Sequence, residues 1–379
     1  MRFRHKRIDA RPPSGRLSFC LTTDLTGNGQ PDVIVGGAGR APTTSFGGRT
    51  VHFRGLPGTG ELLRRFENNL FWYENPGWRR HKLADTSDLS VGGALGDLTG
   101  NGRLDLVTGQ NLEFYEVHWF EQPADPRDPW RRSLITEEFE KHHDIVVGDV
   151  DNDGESEVVV LSQKGRTVFY YDVPEEPRRS PWPDSCRHVI ASDIDVEGAC
   201  IVDIDGDGDQ ELIAGPNVFR YSESESAWMR ERIVEDWEWT RVAVADVDGD
   251  GEPEVVLTEG DRPHYGGQPG RLGWFDPPDW TPHVLRDDLF CPHSLQAADL
   301  TGNGRPDIYV GEMGLGEHDD PKQFVFRNEG DGEFEEHLVY SGVPTHEAKV
   351  VDLDGNGRLD VVGKSYTPTH HVDVWYNEA

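Results

Sequence analysis

No stretch of the 379-residue chain approaches the ~18 consecutive apolar residues of a membrane-spanning helix. An integral membrane protein of the helical kind is therefore not expected. The basic start, Met1-Arg2-Phe3-Arg4-His5-Lys6-Arg7, is not followed by the apolar segment of a secretory leader, so the expected location is cytoplasmic. Only four Cys occur (Cys20, Cys186, Cys200, Cys291), none in paired spacing, so neither a disulfide framework nor a zinc–thiolate centre is expected. Positive charge is scarce too: 37 Lys plus Arg stand against 70 Asp plus Glu, a formal net charge of −33. That balance excludes nucleic-acid binding through a basic face and docking on anionic lipid. Lys is the rarest cation, 7 against 30 Arg, and hyperthermophilic surfaces favour Lys and Glu. The surface reads instead as adapted to high salt, that is, halophilic. What the chain does have is aromatic bulk, with 11 Trp, 16 Phe and 10 Tyr, enough to build a core.

Length alone suggests two or three domains, but internal repeats overrule it. Seven segments share one pattern, beginning at Asp24, Asp97, Asp149, Asp203, Asp246, Asp299 and Asp352. Asp203-Ile-Asp-Gly-Asp-Gly-Asp-Gln-Glu211 shows it in full. Each follows a short apolar run and precedes another, as two strands around a Gly-rich turn do. An aromatic strand comes next (Phe71-Trp-Tyr-Glu74, His118-Trp-Phe-Glu121, Gly273-Trp-Phe-Asp276), then a fourth strand such as Pro282-His-Val-Leu285. Four strands per repeat, seven times, predict an all-β, seven-bladed β-propeller. The last repeat ends after three strands, and residues 2–9 supply its fourth: Phe3-Arg-His-Lys-Arg-Ile8 matches Trp78-Arg-Arg-His-Lys-Leu83. Residues 1–379 are thus expected to form one domain closed by its N-terminal strand, with an insert in blade 1 at about 38–66 that would fold over the channel as a lid. The third-strand aromatics are expected between blades, as core rather than as sugar platforms. His5, His81, His188, His283 and His337, each on an outer strand, are read as structural.

The loop motif places oxygen-bearing side chains on alternate residues. Gly at the fourth and sixth positions allows the left-handed turn that gathers those oxygens around one point, and hard oxygen donors in a flexible shell suit Ca²⁺. Four loops are expected to hold metal: Asp149, Asp151, Asp153 and Glu157; Asp203, Asp205, Asp207 and Glu211; Asp246, Asp248, Asp250 and Glu254; and Asp352, Asp354, Asn356 and Asp360. The three Thr/Asn loops offer Asp24, Asn28 and Asp32; Asp97, Asn101 and Asp105; and Asp299, Asn303 and Asp307. With two carboxylates each, these either bind weakly or hold their turn by hydrogen bonds. The seven loops contain 24 of the 70 acids, so much of the charge excess is positioned ligand rather than diffuse surface.

A strand that ends in such a loop begins at the opposite face. The residue six before each first Asp therefore sits at the channel mouth: Ser18, Val91, His143, Glu197, Thr240, His293 and His346. Three imidazoles and a carboxylate at one equivalent position suit a divalent transition metal, or Mg²⁺, at His143, His293 and His346, or acid–base chemistry near neutral pH. His142 and Arg241 are their chain neighbours. Loops after the second strands open on the same face and offer Gln110, Asn111, Glu259, Asp261, His264, Tyr265, Glu312, His318, Lys364, Tyr366, His370 and His371. Polar channel residues that merely bind water are the plainer alternative.

These repeats resemble the FG-GAP/VCBS family of calcium-loop propellers along essentially the whole chain. That family includes integrin heads, secreted lectins, polysaccharide lyases and the propeller part of aldos-2-ulose dehydratase, whose His-rich repeats look most alike. The resemblance implies structural Ca²⁺ and leaves three readings of function. One is a module binding a polar small ligand, a saccharide above all, at the channel mouth. Another is a metal-assisted sugar lyase or dehydratase, in which a neighbouring His or Tyr366 takes the proton and Lys364 or Arg241 steadies the enolate-like charge. The last is a protein–protein scaffold. A monomer is expected.

Overall fold

The computed structural model describes residues 1–38, 69–86, 88–112, 114–222, 224–315 and 318–378, together with the backbone of a short hairpin, Thr43–Phe46 paired with Arg49–His52. The lid expected from the insert at about 38–66 otherwise lies outside the described residues.

The chain forms seven four-stranded antiparallel sheets. Their inner strands are Leu17–Thr23, Leu89–Gly96, His142–Gly148, Ala199–Val202, Thr240–Ala245, Ser294–Ala298 and Glu347–Val351. Each touches the next, and the last touches the first, so the ring is closed around a channel. The seventh sheet runs from Glu347–Val351 through Asp360–Lys364 and Val372–Asn377 to Phe3–Asp9. The N-terminal strand thus completes the blade to which the other end of the chain belongs, with Phe3 opposite Asn377 and His5 opposite Trp375. Its hold is partly ionic: the buried Asp373 carboxylate accepts from His5 Nε2 at 2.7 Å and Arg7 Nε at 2.9 Å, and it also meets His371 Nδ1.

There is no central core. The buried apolar residues fall into seven clusters, and each cluster bridges two neighbouring blades. Phe19 and Ile34 of blade 1 meet Leu106 and Phe120 of blade 2, while Tyr309 and Val325 of blade 6 meet Val361 and Trp375 of blade 7. A flat sheet has two faces to bury and each blade covers its neighbours, which is why the second strands are buried throughout. The third-strand aromatics are part of this packing, with Trp72, Trp119 and Trp375 fully buried. Four of the five outer-strand His stack on them: His81 on Trp72 at 4.5 Å, His188 on Tyr170 at 4.8 Å, His283 on Trp274 at 3.7 Å and His5 on Trp375 at 5.1 Å.

The loop motifs are hairpins at one end of each blade. Their fourth and sixth residues take positive φ, as at Gly27 (71°) and Gly29 (82°). In blade 3 the fourth position is Asn152, at φ 66°, a residue type that visits the left-handed region readily.

Candidate functional site

The opposite end is the channel mouth, where each inner strand starts. His143, Glu197, His293 and His346 converge there, all essentially buried. His293 stacks on His346 at 4.1 Å between ring centres, and His143 lies 6.1 Å from His293. His143, Glu197 and His293 each offer one donor atom within 4.8 Å of the others. His143 Nε2 is 3.7 Å from Glu197 Oε1.

Backbone carbonyls set which ring nitrogen is free. His293 Nδ1 is 2.8 Å from the carbonyl of His346, and His143 Nδ1 is 3.2 Å from that of Glu197. A carbonyl only accepts, so both Nδ1 atoms carry the proton and both Nε2 atoms keep a lone pair. His346 is different. Its Nδ1 accepts from the buried Lys364 amine, which also donates to the Leu17 carbonyl at 3.1 Å. A protonated Lys364 places the His346 proton on Nε2. Of the expected trio His143, His293 and His346, the first two fall with Glu197 in one cluster of donor atoms. The set with free donor atoms is His143, Glu197 and His293.

Burial holds all three imidazoles neutral, their pKa well below the ordinary value. Glu197 is pushed well above the carboxylate range by burial and by the repulsion of Asp261, whose carboxyl lies in hydrogen-bond contact with it and is itself raised by burial. Contact between two buried carboxyls biases the pair towards protonation. Gln163 Nε2 donates to Glu197 Oε1, while Glu197 Oε2 is buried with no donor facing it. An orphaned buried oxygen beside two imidazole lone pairs fits a divalent cation, and the Nδ1–H bonds to carbonyls are the outer support such ligands have.

Above this constellation lies a cavity of about 270 Å³ lined by, among others, Arg16, Lys141, Asp261, His264, Tyr265 and Tyr366. Tyr366 stacks on His346 at 4.3 Å. Beneath it is a second chamber of about 470 Å³ along the channel, and His293 lines both. The lower chamber is lined by Asp144, Arg241, Glu347 and Lys349. Lys349 Nζ pairs with Glu347 at 3.1 Å and Arg241 with Asp144 at 3.7 Å.

Of the expected loop residues, Tyr366, His264, Asp261, Tyr265 and Asn111 line the upper cavity. Several others do not reach it. Lys364 is enclosed behind His346, its pKa brought down to about 7 by burial, and Arg241 donates to the Glu197 carbonyl from the lower chamber. Neither lines the upper cavity. Glu259 is a brace for Arg262 and Arg271. Glu312 accepts the backbone N–H of Phe290 and Lys322, with His318 at 3.3 Å and stacked on Phe290. Gln110 accepts the Glu116 N–H, and His142 is enclosed beside the Glu138 carbonyl. His370 lies outside the cavity lining. These side chains serve their own loops because short connections between buried strands must satisfy their backbone groups locally. Arg16, Lys141, Gln163, Asp144, Glu347 and Lys349 were missed by the sequence reading. The signal for Asp144, Glu347 and Lys349 was a charge inside an inner strand that otherwise reads as apolar.

At the other face the seven loops divide into two kinds. In blades 1, 6 and 7 both oxygens of the ninth residue accept backbone N–H groups: Asp32 from Leu25 and Asn75, Asp307 from Thr301 and Asn328, Asp360 from Leu353 and Asn377. In blade 2 the Gln122 N–H reaches Asp105 Oδ1, while Asp105 Oδ2 is buried without a partner. In all four, the amide at the end of the third strand reaches into the neighbouring blade, Asn75 to the Leu353 carbonyl and Asn328 to that of Val247, for example. Its own carbonyl accepts from the loop, through Asn28, Arg103, Asn303 or Arg358. Blades 3, 4 and 5 have Glu at the ninth position and Val173, Tyr221 and Pro277 where the amide would be. There only one carboxylate oxygen is bound, by Val150, Ile204 or Val247. Asp149 Oδ1, Asp151 Oδ1 and Glu254 Oε1 are buried without a partner. Clusters that could hold a cation include Asp149–Asp151–Glu157, Asp203–Asp205–Glu211, Asp246–Asp248–Asp250 and Asp248–Glu254–Asp276. In blade 4 the Arg220 guanidinium lies 3.5 Å from Asp205 and already supplies part of the positive charge. The loop at Asp352, expected with the metal-holding set, belongs by its hydrogen bonds with the clasped kind.

Fold and site together define an all-β, seven-bladed propeller with acidic hairpin loops on one face and an imidazole-lined mouth on the other. Residues 299–363 match the FG-GAP-like repeat family. No curated protein matches the sequence. Among solved structures, the biofilm matrix protein Bap1 of V. cholerae is similar over 98% of this chain and 89% of its own, at 12% identity and a TM-score of 0.48. The Tc holotoxin pore of Photorhabdus luminescens is similar over 74% of this chain and 14% of its own, at 16% identity and a TM-score of 0.35.

Proposed function

We propose that this FG-GAP-type propeller binds a small polar ligand of sugar size at its channel mouth, over a divalent transition metal held by His143, Glu197 and His293. The observation that carries this reading is the convergence of two neutral imidazoles and one buried carboxylate within 4.8 Å. Two His and one carboxylate leave coordination positions open, as metals that take up a substrate oxygen require. The cavity of about 270 Å³ is at the low end of ligand sites and suits a monosaccharide rather than a polymer segment.

A second reading, elimination from a sugar at the same site, is favoured by the Glu197–Asp261 pair. Asp261, raised by burial and in contact with Glu197, lines the cavity and supplies an acid–base group beside the metal ligands. The metal would polarise a carbonyl next to the acidic C–H.

At the opposite face, calcium in the loops at Asp149, Asp203 and Asp246 stiffens the hairpins, while the other four loops are held by their amide clasps.

Metal analysis tests the mouth directly. After calcium is removed with a weak chelator, about one equivalent of transition metal remains, and His143→Ala or His293→Ala abolishes it while His346→Ala keeps it. Metal that survives the first two substitutions, or that is never present, refutes the assignment. Formation of an ultraviolet-absorbing unsaturated product from a sugar substrate separates the second reading from simple binding.

A further inference from the structure

One wall of the upper cavity is a continuous stack. The Arg16 guanidinium lies 5.6 Å from the Tyr366 ring centre, Tyr366 lies 4.3 Å from His346, and His346 lies 4.1 Å from His293. Arg16 is half-buried, and its backbone is fixed because its carbonyl accepts the Ser14 hydroxyl at 2.9 Å and the Ala38 N–H at 3.0 Å. This guanidinium has no carboxylate partner among the described residues. That is notable in a chain of 70 acids and 37 Lys plus Arg. The other cations of the channel are answered: Arg241 faces Asp144, Lys349 faces Glu347, and Lys141, bonded to Gln163, lies in the field of Glu197 and Asp261. Among the described residues the mouth therefore carries one cation without a carboxylate partner, inside a molecule of net charge −33, and a bound divalent metal would add to the positive charge. A concave site with an unpaired cation draws the opposite charge.

Resting on the reading of the mouth as a ligand site, we infer that its ligand is anionic, a hydroxylated carboxylate of sugar-acid size. Its carboxylate pairs with Arg16, and its ring or chain packs on Tyr366. Its far hydroxyl or carbonyl oxygens then reach His143 and His293. A planar guanidinium held over an aromatic ring presents the two-pronged geometry that a carboxylate matches. A phosphate ester is disfavoured because a dianion calls for several converging donors, and Arg16 is the single uncompensated cation among the described residues of this cavity.

The test compares two sugars that differ only at C6, D-galacturonate and D-galactose, titrated calorimetrically into the full metal-loaded chain. Galacturonate binds roughly tenfold or more tightly. Arg16→Met brings the two affinities together by weakening galacturonate alone, with metal content unchanged, and Arg16→Lys keeps part of the preference. Equal affinity of the native protein for both sugars, or a preference that survives Arg16→Met, overturns the anion assignment while leaving the cavity as a sugar site. Binding of neither sugar overturns both readings. Tighter binding of D-galactose 6-phosphate than of galacturonate overturns the choice of carboxylate.

Discussion

Glu254→Gln in blade 5 and Asp307→Asn in blade 6 remove one charge from equivalent positions, yet the two should behave oppositely. Glu254 uses one oxygen to accept the Val247 N–H at 2.6 Å and the Asp248 N–H at 3.3 Å, while the other is buried without a partner. Burial and the neighbouring Asp248 raise its pKa to about 7. A Gln keeps the accepting oxygen and turns the orphan into an N–H donor towards Asp248. In a chelator at pH 8 the variant is therefore at least as stable as the native protein, since no desolvated charge remains. In calcium it loses one site, and at a hundred times the dissociation constant one site contributes about 2.7 kcal/mol. For a chain of this length that is about 3 °C in Tm. Asp307 spends both oxygens on backbone N–H groups. An Asn there sets an N–H against an N–H and costs roughly 2 kcal/mol with or without calcium. Thermal unfolding of both variants in chelator and in calcium, with calcium counted by elemental analysis, decides the matter. If Glu254→Gln destabilises equally in both buffers, or the Asp307→Asn effect depends on calcium, the division of the loops is wrong.

The same division predicts that calcium binding saturates near three equivalents per chain rather than seven, read by equilibrium dialysis. The metal-free protein should also lose stability as pH rises. Glu157 and Glu254 have folded pKa values of about 8 and about 7 against an ordinary 4.5, so the folded state holds the extra protons and stability falls between about pH 5 and pH 8. Calcium, which needs the ionised form, should reverse the slope, as melting curves at several pH values in each buffer would show. Asn328→Ala removes side-chain hydrogen bonds to Val247, Pro306 and Gly330 and should cost about 3 kcal/mol irrespective of calcium, measured by denaturant unfolding. Asp373→Asn leaves His5, Arg7 and His371 without their shared anion, and should make the N-terminal strand the first segment to exchange its amide protons.

Some features are local in the chain and so were legible in it. The repeat fixes a hairpin with Gly or Asn at positive φ, the strand count fixes a seven-fold ring, and a missing last strand has one place to come from. The position six residues before each loop is likewise a matter of strand length, and it led to His143, Glu197, His293 and His346. Other features depend on which atom faces which. That His346 Nδ1 is already engaged follows from Lys364 behind it, 18 residues along the chain. That the His143 and His293 Nε2 atoms are left free follows from the Glu197 and His346 carbonyls, which orient both rings across blade boundaries. The clasped loop at Asp352 reads in sequence much like a metal loop, and the Asn377 backbone N–H reaching Asp360 sets it apart in the structure. Sequence periodicity thus determined the ring, its closing strand and the candidate residues at each end. Tertiary structure decided which oxygens and nitrogens are left free, because hydrogen bonds between blades consume donors and acceptors that look equivalent along the chain.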